Sequence, residues 1–154
     1  MTKHTMNRNQ HAGAAQAMDK KHNLMLLLAR VLLALIFIAA GIDKLGHYGA
    51  TVTMMESMAV PGSLLPAVVA LELGGGVAIC FGAFTRPVAL CLAIFCVVAA
   101  VLFHKNFADA TQAAMFMKNL AIAGGFLSLA VAGAGTMSID ARHGDSRKPA
   151  RARP

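Results

Sequence analysis

The chain has 154 residues, of which 57% are hydrophobic and only 14% are charged, whereas soluble domains are usually about 45–50% apolar and about 25% charged. This excludes an ordinary soluble domain and indicates lipid as the solvent for the middle of the chain, where charges are few. The net charge of +7 does not indicate nucleic-acid binding, because the basic residues flank apolar segments as membrane-anchoring charges do.

The two ends of the chain are polar and lack the apolar pattern of a folded core. Residues 1–21 are predicted to be a disordered tail and not a cleaved signal peptide, because the apolar run that follows is long enough to cross a membrane. Residues 138–154 are predicted to be a second disordered tail, which is basic and contains proline. The part between the tails, residues 22–137, is predicted to be one transmembrane domain.

Four apolar segments in this domain are each long enough to span a bilayer. The predicted spans cover residues 22–42, 64–84, 87–103 and 115–135. Between the first two, residues 52–58 are predicted to form a short amphipathic helix at the membrane surface. We therefore expect an all-α fold, a polytopic membrane protein with a four-helix antiparallel transmembrane bundle.

The second predicted span contains small residues at a spacing of four, namely Gly74, Ala78 and Gly82. Such a stripe lets two helices approach closely in a membrane. The sequence therefore predicts that this face of the second span packs against another helix of the bundle.

The distribution of Lys and Arg predicts the orientation. With four spans and both termini in the cytoplasm, ten basic residues lie on the cytoplasmic side and three, Lys44, Lys105 and Lys118, lie outside. Cytoplasmic loops of membrane proteins carry the excess of positive charge. Both termini are therefore predicted to be cytoplasmic.

Two charged residues fall well inside predicted spans. Arg30 lies about eight residues into the first span from the cytoplasmic side, and Glu72 lies about eight residues into the second span from the opposite side. Each is roughly 12 Å deep, so their heights differ by about 6 Å in a core of about 30 Å. Because an isolated charge at that depth is costly, we expect the two side chains to face the bundle interior and to form an ion pair. The pair could fix the packing of the helices or form a proton, quinone or small-solute site, and the sequence leaves both roles open.

Other polar residues are secondary candidates for a site. Lys118 and Asn119 lie near the start of the fourth predicted span, and His104 ends the third. We expect Lys118 to extend toward the membrane surface. The histidines lack the neighbouring carboxylates or thiolates of a metal centre, so no metal site is predicted, and no catalytic motif was found.

Residues 24–135 resemble the DoxX family of small bacterial membrane proteins. The resemblance rests on the first-span sequence LLLARVLLALIFIAAGIDKL, with Arg30, Gly41 and Lys44, and on the second-span sequence LELGGGVAICFGAFTR, with Glu72 and the Thr85-Arg86 turn. It implies a bacterial inner-membrane protein with four transmembrane helices. Some members of the family are linked to quinone-dependent thiosulfate oxidation or to oxidoreductase complexes that handle oxidative stress.

The resemblance favours a membrane subunit or accessory factor of a redox system, acting with a partner oxidoreductase or with quinone. Nucleotide, haem and iron–sulfur motifs are missing from the sequence, so the redox group would have to come from a partner or a lipid-soluble quinone. Two other functions remain open at this point. The chain could be a structural or scaffolding membrane protein, or it could be a permease for protons or small solutes that acts as a homo-oligomer.

Overall fold

The computed structural model describes the backbone of residues 3–145 and the side chains of residues 18–143. This part of the chain is helical and contains no strand. The helices are α1 (Lys3–Gly46), α2 (Tyr48–Ser57), α3 (Leu65–Phe81), α4 (Thr85–Phe103), α5 (Ala110–Ala132) and α6 (Ile139–Asp145), with a 3₁₀ turn at Gly62–Leu64. The predicted all-α class is confirmed, and α2 forms where a short surface helix was expected.

Four helical segments are long and apolar enough to cross a membrane. They are Met18–Gly46, Gly62–Phe81, Thr85–Phe103 and Ala110–Ala132. Large apolar side chains cover their outer surfaces, among them Leu32, Ile94 and Val131, which is 82% exposed. Since water would penalise such a surface and lipid does not, these segments form the predicted four-helix transmembrane bundle.

The bundle consists of two closely packed helix pairs, α1 with α3 and α4 with α5. The pairs meet at an aromatic core, in which the Phe37 ring of α1 lies 5.3 Å from Phe126 and 6.2 Å from Phe95. Edge-to-face ring contacts of this kind favour one packing geometry. The bundle therefore has one register along its axis, which fixes the height of every polar side chain within it.

The α1 helix is much longer than the predicted first span. Its backbone is helical from Lys3, whereas the sequence analysis predicted a disordered tail as far as residue 21. The segment before the span is rich in alanine, a strong helix former, and extending an existing helix is far easier than starting a new one. The predicted tail is therefore wrong for the described part of this segment.

The predicted C-terminal tail also begins with ordered structure. Residues 139–145 form α6, which is attached to the turn between α3 and α4 by a hydrogen bond from the Asp140 amide to the Gly82 carbonyl, at 2.9 Å. The composition of this segment predicted a tail because it does not show the contacts with the bundle on which the stability of α6 depends. Residues 146–154, the rest of the predicted tail, lie outside the described residues.

The predicted packing stripe is wrong at its first residue, Gly74. Gly74 is exposed, and a Cβ atom there would meet no other atom within 4 Å. The close approach occurs at Gly76, where a Cβ would lie 2.8 Å from Ile38 Cγ1 and 3.2 Å from the Ala34 carbonyl oxygen of α1. Ala78 is half-buried. Gly74 and Gly76 are two residues apart, so the observed contact lies roughly 200° around the helix from the predicted one.

Gly82 is buried, but it does not belong to a helix–helix contact of the predicted kind. It ends α3 in a left-handed conformation, with φ at 68°, and a Cβ there would overlap Arg30 Nη1. Glycine adopts this conformation without steric cost and leaves room for the guanidinium. Gly82 thus positions a buried charge at the end of the bundle.

Candidate functional site

Glu72 is the one buried carboxyl group among the described side chains, with 4% of its surface exposed. It lies on α3, and its Oε1 atom accepts a hydrogen bond from Lys44 Nζ in the last turn of α1, at 2.9 Å. The second oxygen, Oε2, is buried and has no hydrogen-bond partner among the described residues. A buried carboxylate usually accepts bonds at both oxygens, so Glu72 is only half satisfied.

The Lys44–Glu72 pair is close to one end of the bundle, beneath α2. Met55 of α2 is buried against Leu65 and Val69 of α3, in a cluster that also contains Leu73 and Phe103. Lys44 reaches the surface, with 24% of its side chain exposed. The pair therefore combines a covered carboxylate with an ammonium group that is accessible from the edge of the bundle.

Arg30 is buried at the opposite end, with 1% of its surface exposed. Its Nη1 donates to the Ala134 carbonyl oxygen at 2.8 Å, and its Nη2 donates to the Met137 carbonyl oxygen at 2.7 Å. These bonds connect α1 to the segment between α5 and α6. Charged donors on carbonyl oxygens make strong hydrogen bonds, so Arg30 fastens this end of the bundle.

The predicted Arg30–Glu72 ion pair is wrong. The Arg30 guanidinium lies beside Gly82, and on α3 Gly82 is ten residues beyond Glu72, a separation of about 15 Å along the helix. Both residues are inside the bundle, as predicted, but at different heights. The depth estimate failed because it counted the two residues from opposite ends of their spans, whereas in the structure Arg30 is level with Gly82 and Lys44 is level with Glu72.

Asp140 was not predicted as a structural residue. Its carboxylate accepts bonds from the backbone amides of Phe84, at 2.8 Å, and Thr85, at 2.9 Å, at the start of α4. Partial burial alone would raise the pKa of this carboxyl, but the bonds from Thr85 and Phe84 and the nearby charge of Arg30 outweigh burial and lower it. Asp140 therefore caps α4 as a carboxylate.

The secondary candidates do not join the Glu72 site. Lys118 is exposed, and its Nζ contacts Met115 Sδ at 3.0 Å, while Asn119 donates to the Met115 carbonyl oxygen. His104 Nδ1 lies 2.8 Å from Gln112 Oε1. These contacts are local to α5 and to the loop that precedes it. Sequence reasoning instead missed Lys44 as the partner of Glu72, although its place in the last turn of the first span was a usable signal.

The arrangement can exchange protons and hydrogen bonds. Lys44 supplies donors, and Glu72 supplies an open acceptor at Oε2. Within the described residues, no group of three His, Cys, Asp or Glu side chains is placed to hold a metal ion. A membrane carboxyl of this kind is a candidate functional group in its own right.

Comparison with known proteins identifies the family. The DoxX family model matches residues 25–105, which include Lys44 and Glu72. The chain is 50% identical to the inner membrane protein YqjF of Escherichia coli (strain K12) over 123 residues, which cover 80% of this chain and 95% of the relative. The chain belongs to the DoxX family. As such it is an integral membrane protein, and no solved structure matches it significantly.

Of two further relatives of this DoxX-family protein, one is named as an inner membrane protein and the other as an oxidoreductase. The inner membrane protein YphA of Escherichia coli (strain K12) is 37% identical over 127 residues, which cover 77% of this chain and 90% of the relative. CatD of Bacillus subtilis (strain 168), whose name marks it provisionally as an oxidoreductase, is 32% identical over 77 residues. Those residues cover 50% of this chain and 58% of CatD.

Proposed function

We propose that this DoxX-family protein is a membrane subunit or accessory factor of a redox system and that the Lys44–Glu72 pair binds the head group of a quinone. The observation that carries the proposal is the open oxygen of Glu72. Oε2 is buried and unpartnered among the described residues, while Oε1 is held by Lys44. Leaving a buried acceptor unpaired costs about 1–3 kcal/mol, so a ligand that donates to it gains from its pairing.

A quinone and its reduced form fit this donor and acceptor set. Lys44 Nζ can donate to a quinone carbonyl oxygen, and Glu72 Oε2 can accept from a quinol hydroxyl group. Glu72 can also hold the proton that such a hydroxyl group releases. The bound quinone would supply the electron-accepting chemistry, and a partner oxidoreductase would supply the electrons. The name of CatD supports this class of function.

The position of the pair agrees with a ligand that arrives through the lipid. Lys44 is partly exposed at the edge of the bundle, and its neighbours on the outer surface of α1, Ile42 and Leu45, are apolar and more than half exposed. A ligand with an apolar tail could lie along these side chains with its polar head at Lys44. The proposed route therefore needs no water-filled channel.

The orientation is part of the proposal. We propose that both termini are cytoplasmic, as the excess of Lys and Arg at that end predicts, so that the Lys44–Glu72 pair lies near the outer surface. Single cysteines at Tyr48 and Asp109 in a cysteine-free background should react with a membrane-impermeant thiol reagent added outside spheroplasts. Labelling of these positions only from the cytoplasmic side would contradict the orientation.

The ligand is tested by its retention during purification. The parent protein, Glu72→Gln and Glu56→Gln are extracted in mild detergent, and the quinone bound to each is measured by mass spectrometry. Glu56 is an exposed carboxyl of α2 at the same end and serves as the matched control. We expect bound quinone in the parent and in Glu56→Gln and about tenfold less in Glu72→Gln, since a charge-assisted hydrogen bond changes affinity by about this factor.

Three outcomes would contradict the redox proposal. Equal quinone in all three proteins would show that Glu72 is not the binding group. A stable partner protein without bound quinone would favour a scaffolding role. Proton flux that depends on Glu72 in quinone-free liposomes would favour a permease.

A further inference from the structure

A second recessed site lies at the other end of the bundle, far from Glu72. It is an open hollow of about 430 Å³ between the α3–α4 turn and the segment that joins α5 to α6. Its walls include Thr85, Arg86, Gly133, Ser138 and Asp140. Because α4 begins and α5 ends as a membrane span here, the hollow is at the height of the lipid head groups.

Arg86 gives the hollow its charge. It is exposed, and its guanidinium lies over Gly133, where a Cβ would be 3.5 Å from Arg86 Nε. Within the part of the chain that the structure describes, Arg86 has no hydrogen-bond or ion-pair partner. An arginine has five N–H donors in a planar fork that matches the oxygens of a phosphate group.

The acidic residue in the wall does not cancel this charge. Both carboxylate oxygens of Asp140 are already bonded to the amides of Phe84 and Thr85, and the buried Arg30 guanidinium is close enough to interact with Asp140 electrostatically. Asp140 is thus balanced within the protein. The hollow keeps the positive charge of Arg86 for a ligand.

The surroundings of the hollow are apolar on the membrane side. Phe84, which borders it, is 76% exposed, and Val131, next to its wall on α5, is 82% exposed. Leu90, one turn further along α4, is 48% exposed. A ligand with a phosphate head and an acyl tail would contact both Arg86 and these apolar side chains. Free phosphate would contact only Arg86.

We propose that this hollow binds the phosphate of an anionic phospholipid, with Arg86 as the pairing cation and the exposed apolar side chains of α4 and α5 beside the acyl chains. The site is separate from the Lys44–Glu72 pair, and it does not depend on the proposed redox function. It would anchor the α3–α4 turn and the α5–α6 segment to the lipid head groups.

The test measures phosphatidylglycerol binding by native mass spectrometry of the full chain in detergent. The parent is compared with Arg86→Gln, with Ala132→Phe, which fills the hollow without changing its charge, and with Lys20→Gln. Lys20 is an exposed basic residue of α1 at the same end and controls for general surface charge. We expect about tenfold weaker binding in the first two variants and binding like the parent in Lys20→Gln. Thermal unfolding of each variant confirms that it is folded.

Two further ligands identify what is recognised. Phosphatidylcholine, which has no net charge, should bind the parent more weakly than phosphatidylglycerol, and inorganic phosphate should not displace the lipid. Unchanged phosphatidylglycerol binding in Arg86→Gln, an equal loss in Lys20→Gln, or displacement by millimolar inorganic phosphate would each overturn the proposal. If Arg86→Gln does not fold, Ala132→Phe decides the question alone.

Discussion

Among the described residues, the two ends of the bundle each bury one charged side chain, and they satisfy it differently. Arg30 donates through both terminal nitrogens to backbone carbonyls in the segment between α5 and α6 and is enclosed by Gly82 and Ser138, and only its Nε has no partner among the described residues. Glu72 has a bond to Lys44 at one oxygen and none at the other within the described structure. The Arg30 end is thus joined across distant parts of the chain, while the Glu72 end keeps an open acceptor.

This difference separates a structural charge from a candidate functional one. A cation bonded to carbonyl oxygens of a loop fixes that loop and has no ready exchange partner. A half-satisfied carboxylate next to a partly exposed lysine can exchange its bonds with a ligand or a proton. Burial alone, which both residues share, would not have distinguished the two roles.

The largest expected effect is at the Arg30 end. Arg30→Gln removes the charged bonds to the buried Ala134 carbonyl and the partly buried Met137 carbonyl, so we expect the free energy of unfolding to fall by about 3 kcal/mol. Thermal or denaturant unfolding in detergent measures this, with Lys21→Gln, an exposed change on the same helix, as the control. A variant as stable as the parent would show that Arg30 does not hold this end together.

The next effect concerns the packing of α1 against α3. Gly76→Leu places a side chain against Ile38 and the Ala34 carbonyl, and overpacking of this kind costs about 1–3 kcal/mol. Gly74→Leu, two residues away, projects into open space and should change stability by less than about 0.5 kcal/mol. The same unfolding assay compares them. If Gly74→Leu is the more destabilising change, Gly74 and not Gly76 faces α1, and the described packing of α3 against α1 is wrong.

A smaller effect should appear as coupling between Lys44 and Glu72. In a double-mutant cycle with Lys44→Met and Glu72→Gln, we expect a coupling free energy of about 1 kcal/mol, reduced because Lys44 is partly exposed. The parallel cycle of Arg30→Gln with Glu72→Gln should be additive within about 0.5 kcal/mol, since the two groups are far apart. Strong coupling in the second cycle would show that Arg30 and Glu72 interact, as the sequence predicted.

An effect of similar size is expected at the cap of α4. Asp140→Asn keeps one acceptor and loses the charge, so we expect a loss of roughly 1 kcal/mol at neutral pH. Because the pKa of Asp140 is lowered in the folded protein, its contribution is complete above about pH 4 and disappears as the pH falls through the folded-state pKa. Stability measured against pH should therefore converge for parent and variant in acid. A constant difference down to the lowest pH would contradict this role.

The sequence was sufficient for the fold but not for the pairing of charges. Hydropathy and length define four spans whether or not their ends are known to within a few residues. Which residue meets Glu72 depends on the relative height of α1 and α3, because Arg30 and Lys44 lie about four turns apart on α1. That height is set by contacts such as Gly76 with Ala34, which no single helix reveals by itself. Asp140 was missed because its role depends on a contact between distant segments.

The central claim is that Glu72 Oε2 is an open acceptor which a quinol can fill. Infrared difference spectra of the protein in nanodiscs, with and without a short-chain quinol, report directly on the hydrogen bonding of carboxyl groups. We predict a shift of a carboxyl band when the quinol is added to the parent and to Glu56→Gln, and no such shift in Glu72→Gln. The same band shift in Glu72→Gln, or none in the parent, would contradict the claim.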